Sequence, residues 1–190
     1  DTLARAMRRS RTDSIGLVVS DAGEPAFAEM AHGVEQAAAD RGLTLLLANS
    51  AEDADREQRA LRTLLERRVD GLILARAANS APGLMASLQS EKAPVVLLDR
   101  LYRDLPFDQV GADNRESMRQ LMSHLTAQGH AHFAVTAGDV RVPALAERLD
   151  GFHDGIRDAR LDPHGQVVLS GADDEALRRQ LSEALAADPP

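Results

Sequence analysis

The fold is decided by the stretch Ile15-Gly-Leu-Val-Val19, by the helical pattern after it, and by a second apolar run, Leu43-Thr-Leu-Leu-Leu-Ala48. A short continuous apolar run is typical of a strand that is covered on both faces. Between the two runs, apolar residues recur at the spacing of one helix face, at Phe27, Met30, Ala31, Val34 and Ala38. The segment 22–25 precedes this predicted helix and Arg41-Gly42 ends it. The stretch therefore predicts a strand, a helix and a second strand.

The same alternation continues along the rest of the chain. Further apolar runs predict strands at 71–75, 94–98, 132–136 and 167–169. Helical stripes predict a helix carrying Leu61, Leu64 and Leu65, and helices at 82–90, 115–128, 144–158 and 177–185. The segment 50–53 is expected to cap the first of these helices, and Val110-Gly-Ala112 is expected to be a short connector. Strands that alternate with helices indicate an α/β fold, with parallel sheets flanked by helices.

The distribution of the strands indicates two lobes. Four predicted strands precede residue 100, and two follow it. A sheet of two strands leaves an open edge and an uncovered face. We therefore expect the second lobe to be incomplete in this chain.

The composition excludes several classes of function. The 190 residues include no cysteine, which excludes a disulfide scaffold, thiol catalysis and Cys-ligated zinc. Aromatic residues make up only 3% of the chain, which argues against a platform for stacking single-stranded nucleic acid. No apolar leader core and no run of membrane-spanning length are present in the sequence. We therefore expect a cytoplasmic protein that does not bind a membrane.

Charge is distributed unevenly over the chain. The net charge is −8, yet residues 1–12 carry four arginines and one aspartate, a net of +3. An acidic body does not attract DNA phosphates, whereas a short basic arm does. From composition alone, a solvated tail is the alternative interpretation of this arm.

Sequence signatures of catalysis are lacking. The chain has no P-loop, no dinucleotide-binding glycine pattern, no zincin pair and no Gly-x-Ser-x-Gly elbow. His124, His130 and His132 are close in sequence, but a helix end and a turn separate them, so surface histidines are expected rather than a metal site. We therefore predict no enzyme, no catalytic or metal-binding residue and no cofactor.

Candidate binding residues follow the carboxyl ends of the predicted strands, where open α/β sheets hold ligands. Carboxylates such as Asp99 and Asp113 suit sugar hydroxyls, Arg148 offers a planar fork to oxygen atoms, and Phe27 offers an apolar face. Each has a plainer alternative. Asp99 can simply end a strand, Asp113 can cap the following helix, Arg148 can be a paired surface charge, and Phe27 can pack in the core.

An ordered set of motifs resembles the LacI/GalR family of bacterial transcription regulators. The set extends through nearly the whole chain and comprises Leu3-Ala-Arg-Ala-Met7, Arg11-Thr-Asp-Ser-Ile-Gly-Leu-Val-Val19, Arg41-Gly42, Arg68-Val-Asp-Gly-Leu-Ile73, Pro94-Val-Val-Leu-Leu-Asp-Arg100, Val110-Gly-Ala-Asp-Asn114, Gln128-Gly-His130 and Glu147-Arg-Leu-Asp-Gly-Phe152. The segments at 94–100 and 110–113 also resemble the fructose-repressor subgroup.

The resemblance implies a periplasmic-binding-protein-like domain with a sugar or sugar phosphate effector in the cleft between its lobes. It implies a hinge segment at 1–12, an N-terminal lobe at 13–111 and a partial C-terminal lobe at 112–190. The family's effector contacts correspond to Phe27, Asp113 and Arg148, and less closely to Asp99. The loop after the first strand departs from the family pattern, because Glu24 replaces an amide and Ala26 an aromatic residue. The segment 142–144 lacks polar side chains.

The resemblance also assigns a role to the basic arm. Met7 corresponds to the hinge residue that the family inserts into the minor groove, and Arg5 and Arg8 are placed to neutralise phosphates. We therefore expect operator binding through a helix-turn-helix headpiece that is absent from this chain, and a homodimer that acts as a repressor. The rival hypotheses are a periplasmic sugar-binding protein of the same fold, and an enzyme on a similar scaffold.

Overall fold

The computed structural model describes residues 11–91, 93–102, 104–170 and 174–187. The chain divides into two compact units between Gly111 and Ala112. Unit 1 contains strands β1 (Ser14–Val19), β2 (Thr44–Asn49), β3 (Gly71–Leu74), β4 (Val95–Leu98) and β5 (Asp108–Val110), and helices α1 (Pro25–Ala39), α2 (Ala54–Glu66) and α3 (Leu84–Gln89). Unit 2 contains helices α4 (Asn114–Ala127), α5 (Pro143–Asp158) and α6 (Asp174–Ala187), strands β6 (Ala134–Gly138) and β7 (Val167–Ser170), and a 3-10 turn (Pro163–Gly165).

The sheet of unit 1 has the order β2-β1-β3-β4-β5, and every pair in it is parallel. Leu17, Val18 and Val19 of β1 are at most 1% exposed, as expected for a strand covered on both faces. One apolar cluster packs on α2 and α3, and the other packs on α1. The α/β architecture that the alternating pattern predicts is therefore present.

The last strand of this sheet differs from the prediction. The segment around Val110 is expected to be a connector, but residues 108–110 form a fifth strand, β5, parallel to β4. This strand is three residues long, and Val110 is 60% exposed. A short, polar edge strand has no apolar run, so the pattern that identifies buried strands does not detect it.

Unit 2 is organised by the close packing of α4 on α5. Met122, Phe152 and Ile156 form its buried core. Gly151 and Gly155 allow the close approach, since a Cβ atom at Gly151 would overlap the Arg115 carbonyl oxygen, and one at Gly155 would overlap the Met122 side chain. β6 and β7 form a parallel two-stranded sheet, in agreement with the two predicted strands.

No helix in the described ranges is long and apolar enough to cross a membrane.

Candidate functional site

Loops at the carboxyl edge of the sheet of unit 1 carry most of its buried polar groups. These loops follow β1, β2, β3 and β4, because parallel strands all end at the same edge. The buried polar residues at this edge are Ser20, Ser50, Glu57 and Arg100. Buried polar groups in proteins are mostly hydrogen-bonded, so this edge concentrates the specific hydrogen bonds of the unit; among the described residues, the Ser20 hydroxyl and the Arg100 Nε are buried here without a hydrogen-bond partner.

Phe27 lies in the apolar core beside this edge. Its side chain packs with Leu17, Val19 and Ala75, and the residue is 8% exposed. Of the two positions that the sequence left open for Phe27, the structure shows the one in the core. An additional contact of Phe27 with an effector stays a prediction.

Asp99 occupies an unusual backbone conformation directly after β4. Its φ is +68°, in the left-handed region that non-glycine residues seldom adopt. Its amide donates a hydrogen bond to the Val110 carbonyl at 2.8 Å, which ties the turn to β5. Gly111 permits this packing, because a Cβ atom there would lie 2.9 Å from the Asp99 carbonyl oxygen. Within the described residues, the half-buried Asp99 carboxylate forms no hydrogen bond or ion pair.

An ion pair between Glu52 and Arg100 lies next to Asp99. The Arg100 guanidinium donates from both terminal nitrogens to the two Glu52 carboxylate oxygens, with Nη1 3.1 Å from Oε2. The same Nη1 donates to the Arg76 carbonyl, and the Ala78 amide donates to Glu52 at 2.7 Å. Burial acts to raise the pKa of the Glu52 carboxyl, but the Arg100 and Ala78 hydrogen bonds and the charge of Arg100 outweigh it and hold that pKa below its usual value.

A second carboxylate, Glu57, is fully buried in the first turn of α2. It accepts a hydrogen bond from the Ala77 amide at 2.7 Å and one from the Ser80 hydroxyl. Burial raises the pKa of the Glu57 carboxyl above its usual value, although both hydrogen bonds act in the opposite direction. Arg76 lies nearby, with its guanidinium carbon 4.4 Å from the centre of the Tyr102 ring. Glu52 and Glu57 together hold the backbone of the loop that follows β3.

In unit 2, Asp113 and Arg148 are both next to Asn114, which follows Asp113 in the sequence and is hydrogen-bonded to Arg148. Asp113 is exposed and caps α4, since its carboxylate accepts a hydrogen bond from the Glu116 amide at 3.0 Å. Arg148 is exposed on α5, and its Nε donates to the Asn114 side-chain oxygen at 3.0 Å. Asn114 is 3% exposed and also donates to Glu147 and to the Ala112 carbonyl. The partner of Arg148 is therefore a buried amide, not the neighbouring acid of the surface-charge alternative.

The basic arm falls mostly outside the described residues, and so do its candidate DNA contacts Arg5, Met7 and Arg8. The described residues at the end of the arm, Arg11 and Thr12, contact the segment that precedes β3. Thr12 donates through its amide to Asp70 and through its hydroxyl to the Arg68 carbonyl, and the Arg11 guanidinium lies 4.0 Å from the Asp70 carboxylate. The start of β1 is thereby attached to the loop before β3.

Sequence reasoning missed the two glutamates of unit 1. Glu57 lies four and seven residues before Leu61 and Leu64, so it occupies the apolar face of α2. A charged residue on an apolar stripe is a signal of a buried polar contact, and this signal was available from the sequence. Glu52 offers no such signal, because its partner Arg100 is 48 residues away. Across the described parts of the chain, no group of three or more His, Cys, Asp or Glu side chains is arranged to hold a metal ion.

The family described as periplasmic binding proteins and sugar binding domain of LacI family matches residues 12–190. The chain belongs to this family. The HTH-type transcriptional repressor PurR of Aliivibrio salmonicida is 32% identical over 171 residues, which cover 89% of this chain and 51% of that protein. The chain spans about half the length of the curated relatives it matches.

Two solved structures of the LacI family are also similar. A protein assigned as a ribose operon repressor from Burkholderia thailandensis is 30% identical, with a TM-score of 0.76, over 93% of this chain and 74% of that one. A protein described as a periplasmic binding protein/LacI transcriptional regulator from Alkaliphilus metalliredigens, complexed with D-xylulofuranose, is 26% identical, with a TM-score of 0.72, over 86% of this chain and 58% of that one. These matches confirm the LacI/GalR resemblance and the periplasmic-binding-protein-like fold. The relatives named as transcription regulators also agree with the prediction that the chain is not an enzyme.

Proposed function

We propose that this chain is the effector-binding part of a bacterial transcription repressor. In the whole protein, a small molecule bound to these units changes the affinity for operator DNA. The curated relatives support a regulator over a periplasmic binding protein, because they are named as HTH-type transcriptional repressors or regulators. The effector acts only if it binds the two conformations of the regulator with different affinities.

The observation that carries this proposal is the arrangement of Arg148. Buried Asn114 holds its Nε, while neither terminal nitrogen has a hydrogen-bond partner among the described residues. An oriented guanidinium with open donors is suited to bind hydroxyl or phosphate oxygens. In unit 1, the Asp99 carboxylate has no partner among the residues that the structure describes, and it provides acceptors for hydroxyl groups.

The effector class that fits both groups is a sugar or a sugar phosphate. Asp99 and Asp113 would accept hydrogen bonds from hydroxyls, Arg148 would donate to oxygens, and the Phe27 ring edge would cover an apolar face. The similar regulator from Alkaliphilus metalliredigens holds D-xylulofuranose, which belongs to this class. A phosphate group of such an effector is expected to accept from the open guanidinium donors of Arg148.

The remaining parts of the proposal concern the whole protein. A homodimer in the cytoplasm binds operator DNA through a headpiece, with Met7 inserted into the minor groove and Arg5 and Arg8 on the phosphates. The Met7→Ala variant of the full-length protein should bind operator DNA more weakly, with no change in effector affinity. Equal operator affinity in a fluorescence anisotropy titration would remove Met7 from the DNA contacts.

A thermal-shift screen of the full-length protein against sugars and sugar phosphates tests the effector class. A ligand at 100 times its Kd adds about 2.7 kcal/mol to the free energy of unfolding. For a domain of this size, that gain raises Tm by about 5–10 °C. A panel without any shift, confirmed by calorimetry, would contradict the proposal that the effector is a sugar or a sugar phosphate.

The Arg148→Ala variant then tests the site. We expect it to remain folded and to lose effector binding by at least about 1.5 kcal/mol, because a charge-assisted hydrogen bond is removed. Arg157→Ala is the matched control, since Arg157 lies on the same helix and pairs with Asp154. Equal effector Kd values for Arg148→Ala and the wild type would return Arg148 to the role of a surface charge.

A further inference from the structure

A pair of side chains crosses the carboxyl edge of the sheet in unit 1. Glu52 follows β2, whereas Arg100 follows β4, and the strand order places both β1 and β3 between them. The bidentate Glu52–Arg100 pair therefore extends over the ends of two strands. We call this pair the Glu52–Arg100 strap.

The strap is attached to the strands that it crosses. The Glu52 amide donates to the Ser20 carbonyl at the end of β1, at 2.7 Å. Beyond β3, Arg100 donates to the Arg76 carbonyl at 2.5 Å, and the Glu52 carboxylate accepts from the Ala78 amide. The loops that follow four adjacent strands are thus joined through Glu52 and Arg100: the Glu52 backbone amide reaches the loop after β1, and the two side chains connect the loops after β2, β3 and β4.

Glu52 itself lies on backbone in the left-handed region, and Arg100 directly follows a residue in that region. The φ angles are +49° at Ala51, +56° at Glu52 and +68° at Asp99. Non-glycine residues hold such conformations only where the surrounding contacts over-determine them, and such residues concentrate at binding sites. The strap provides contacts of this kind on both sides, because Arg100 directly follows Asp99 and Glu52 directly follows Ala51.

The strap also determines which charges this edge presents. The Arg100 side chain is 8% exposed and its terminal nitrogens are occupied by Glu52 and Arg76, so its cation is neutralised and covered. The adjacent Asp99 carboxylate has no partner in the described part of the chain. An acceptor without a competing neighbouring cation is left for hydroxyl donors of a ligand.

We propose that Glu52 is a positioning residue for effector binding: through Arg100 it holds the Asp99 turn and the loop 76–78 in the geometry that receives the effector. This inference rests on the proposed function. Glu52 itself is not assigned a contact with the effector.

The test compares variants of the full-length protein by calorimetric titration with the sugar identified in the screen. Glu52→Gln should weaken binding about tenfold or more while the protein stays folded, because small displacements of a binding group are costly. Glu52→Asp should also bind weakly, since the shorter side chain cannot cross two strands. If only the negative charge mattered, Glu52→Asp would bind the sugar with the wild-type affinity. Glu66→Gln, at the exposed C-terminal residue of α2, the helix that follows Glu52, is the control and should bind like the wild type.

A second measurement does not depend on the effector. In hydrogen exchange without ligand, peptides covering 75–80 and 98–101 should exchange about tenfold faster in Glu52→Gln than in the wild type, and at the wild-type rate in Glu66→Gln. If Glu52→Gln does not fold, Arg100→Lys serves in both measurements, because a lysine retains the charge without the bidentate fork.

The outcomes separate this inference from the proposed function. If Glu52→Gln exchanges faster but keeps the wild-type Kd, the strap is a purely structural element and the positioning role is wrong. If the exchange rates of Glu52→Gln do not change, the strap does not hold these loops, and the positioning role is wrong as well. If no sugar or sugar phosphate binds the wild type, the effector class is wrong. In that case hydrogen exchange is the remaining test of whether Glu52 holds the Asp99 turn.

Discussion

Removal of the buried Glu57 carboxylate gives the sharpest test of the polar network in unit 1. Glu57→Ala deprives two donors of their acceptor, the Ala77 amide at 2.7 Å and the Ser80 hydroxyl. Hydrogen bonds to a charged group contribute about 1.5–3 kcal/mol each, and donors left buried without a partner are costly. The variant also removes the cost of burying the carboxylate, which offsets part of this loss. We therefore expect the free energy of unfolding to fall by about 2–4 kcal/mol.

Urea and thermal unfolding, followed by circular dichroism, measure this change. The expected loss corresponds to a decrease in Tm of about 4–16 °C for a domain of this size. Glu57→Gln is the control, because its amide oxygen still accepts from Ala77, and the Ser80 hydroxyl can reverse its role and accept from the amide. A loss below about 0.5 kcal/mol in Glu57→Ala would refute the reasoning, because such a value is typical of surface positions.

Three further predictions concern helix packing, capping and pH. Gly155→Ala should lower the free energy of unfolding by about 1–3 kcal/mol, because the added Cβ atom overlaps Met122. Gly33→Ala is the control: an added Cβ meets nothing within 4 Å there, so the free energy of unfolding should rise by about 0.5–1 kcal/mol. Equal urea midpoints for the two variants would contradict the close packing of α4 on α5. Asp113→Ala should lower the free energy of unfolding by about 1 kcal/mol in the same assay, because the helix cap is lost. Asp113→Ser should keep most of the wild-type stability, because a serine hydroxyl also caps a helix. Because the pKa of Glu52 is lowered in the folded state, its stabilisation is present above the unfolded pKa and is lost as pH falls through the folded pKa. The raised pKa of Glu57 has the opposite sign, so its contribution decreases as pH rises from the unfolded to the folded pKa. Unfolding titrations from pH 3 to 7 (about the range in which carboxylates titrate) should therefore show opposite changes of slope in Glu52→Gln and Glu57→Gln, and slopes that change alike would contradict these assignments.

The periodicity of the sequence predicted the larger elements well. Strand β1, at Ser14–Val19, and helix α2, at Ala54–Glu66, lie where the apolar runs and stripes placed them. Asp53 caps α2 through the Arg56 amide, as the segment 50–53 indicated. These features are local, so each depends on residues within a few positions of one another.

Candidate residues taken from strand ends were less well determined. The sequence left open whether Asp113 is a cap or a contact; the structure shows the cap, and the effector contact stays a prediction. For Phe27 the structure shows the core position. A residue type at a strand end indicates where a ligand can bind, but the packing of its neighbours decides which side chains remain available.

By itself, the sequence determined the α/β class, most of the strands and helices, the cap of α2 and the family motifs, because each rests on short-range spacing or on an ordered series of segments. Only the tertiary structure decided that β5 joins the sheet, that Asn114 holds Arg148, and that Glu52 reaches Arg100 across two strands. The physical reason is the arrangement of the elements in space. The strand order of unit 1 brings Glu52 to Arg100, 48 positions away, and the packing of two helices in unit 2 brings Asn114 to Arg148, 34 positions away. No local pattern of residues encodes either arrangement.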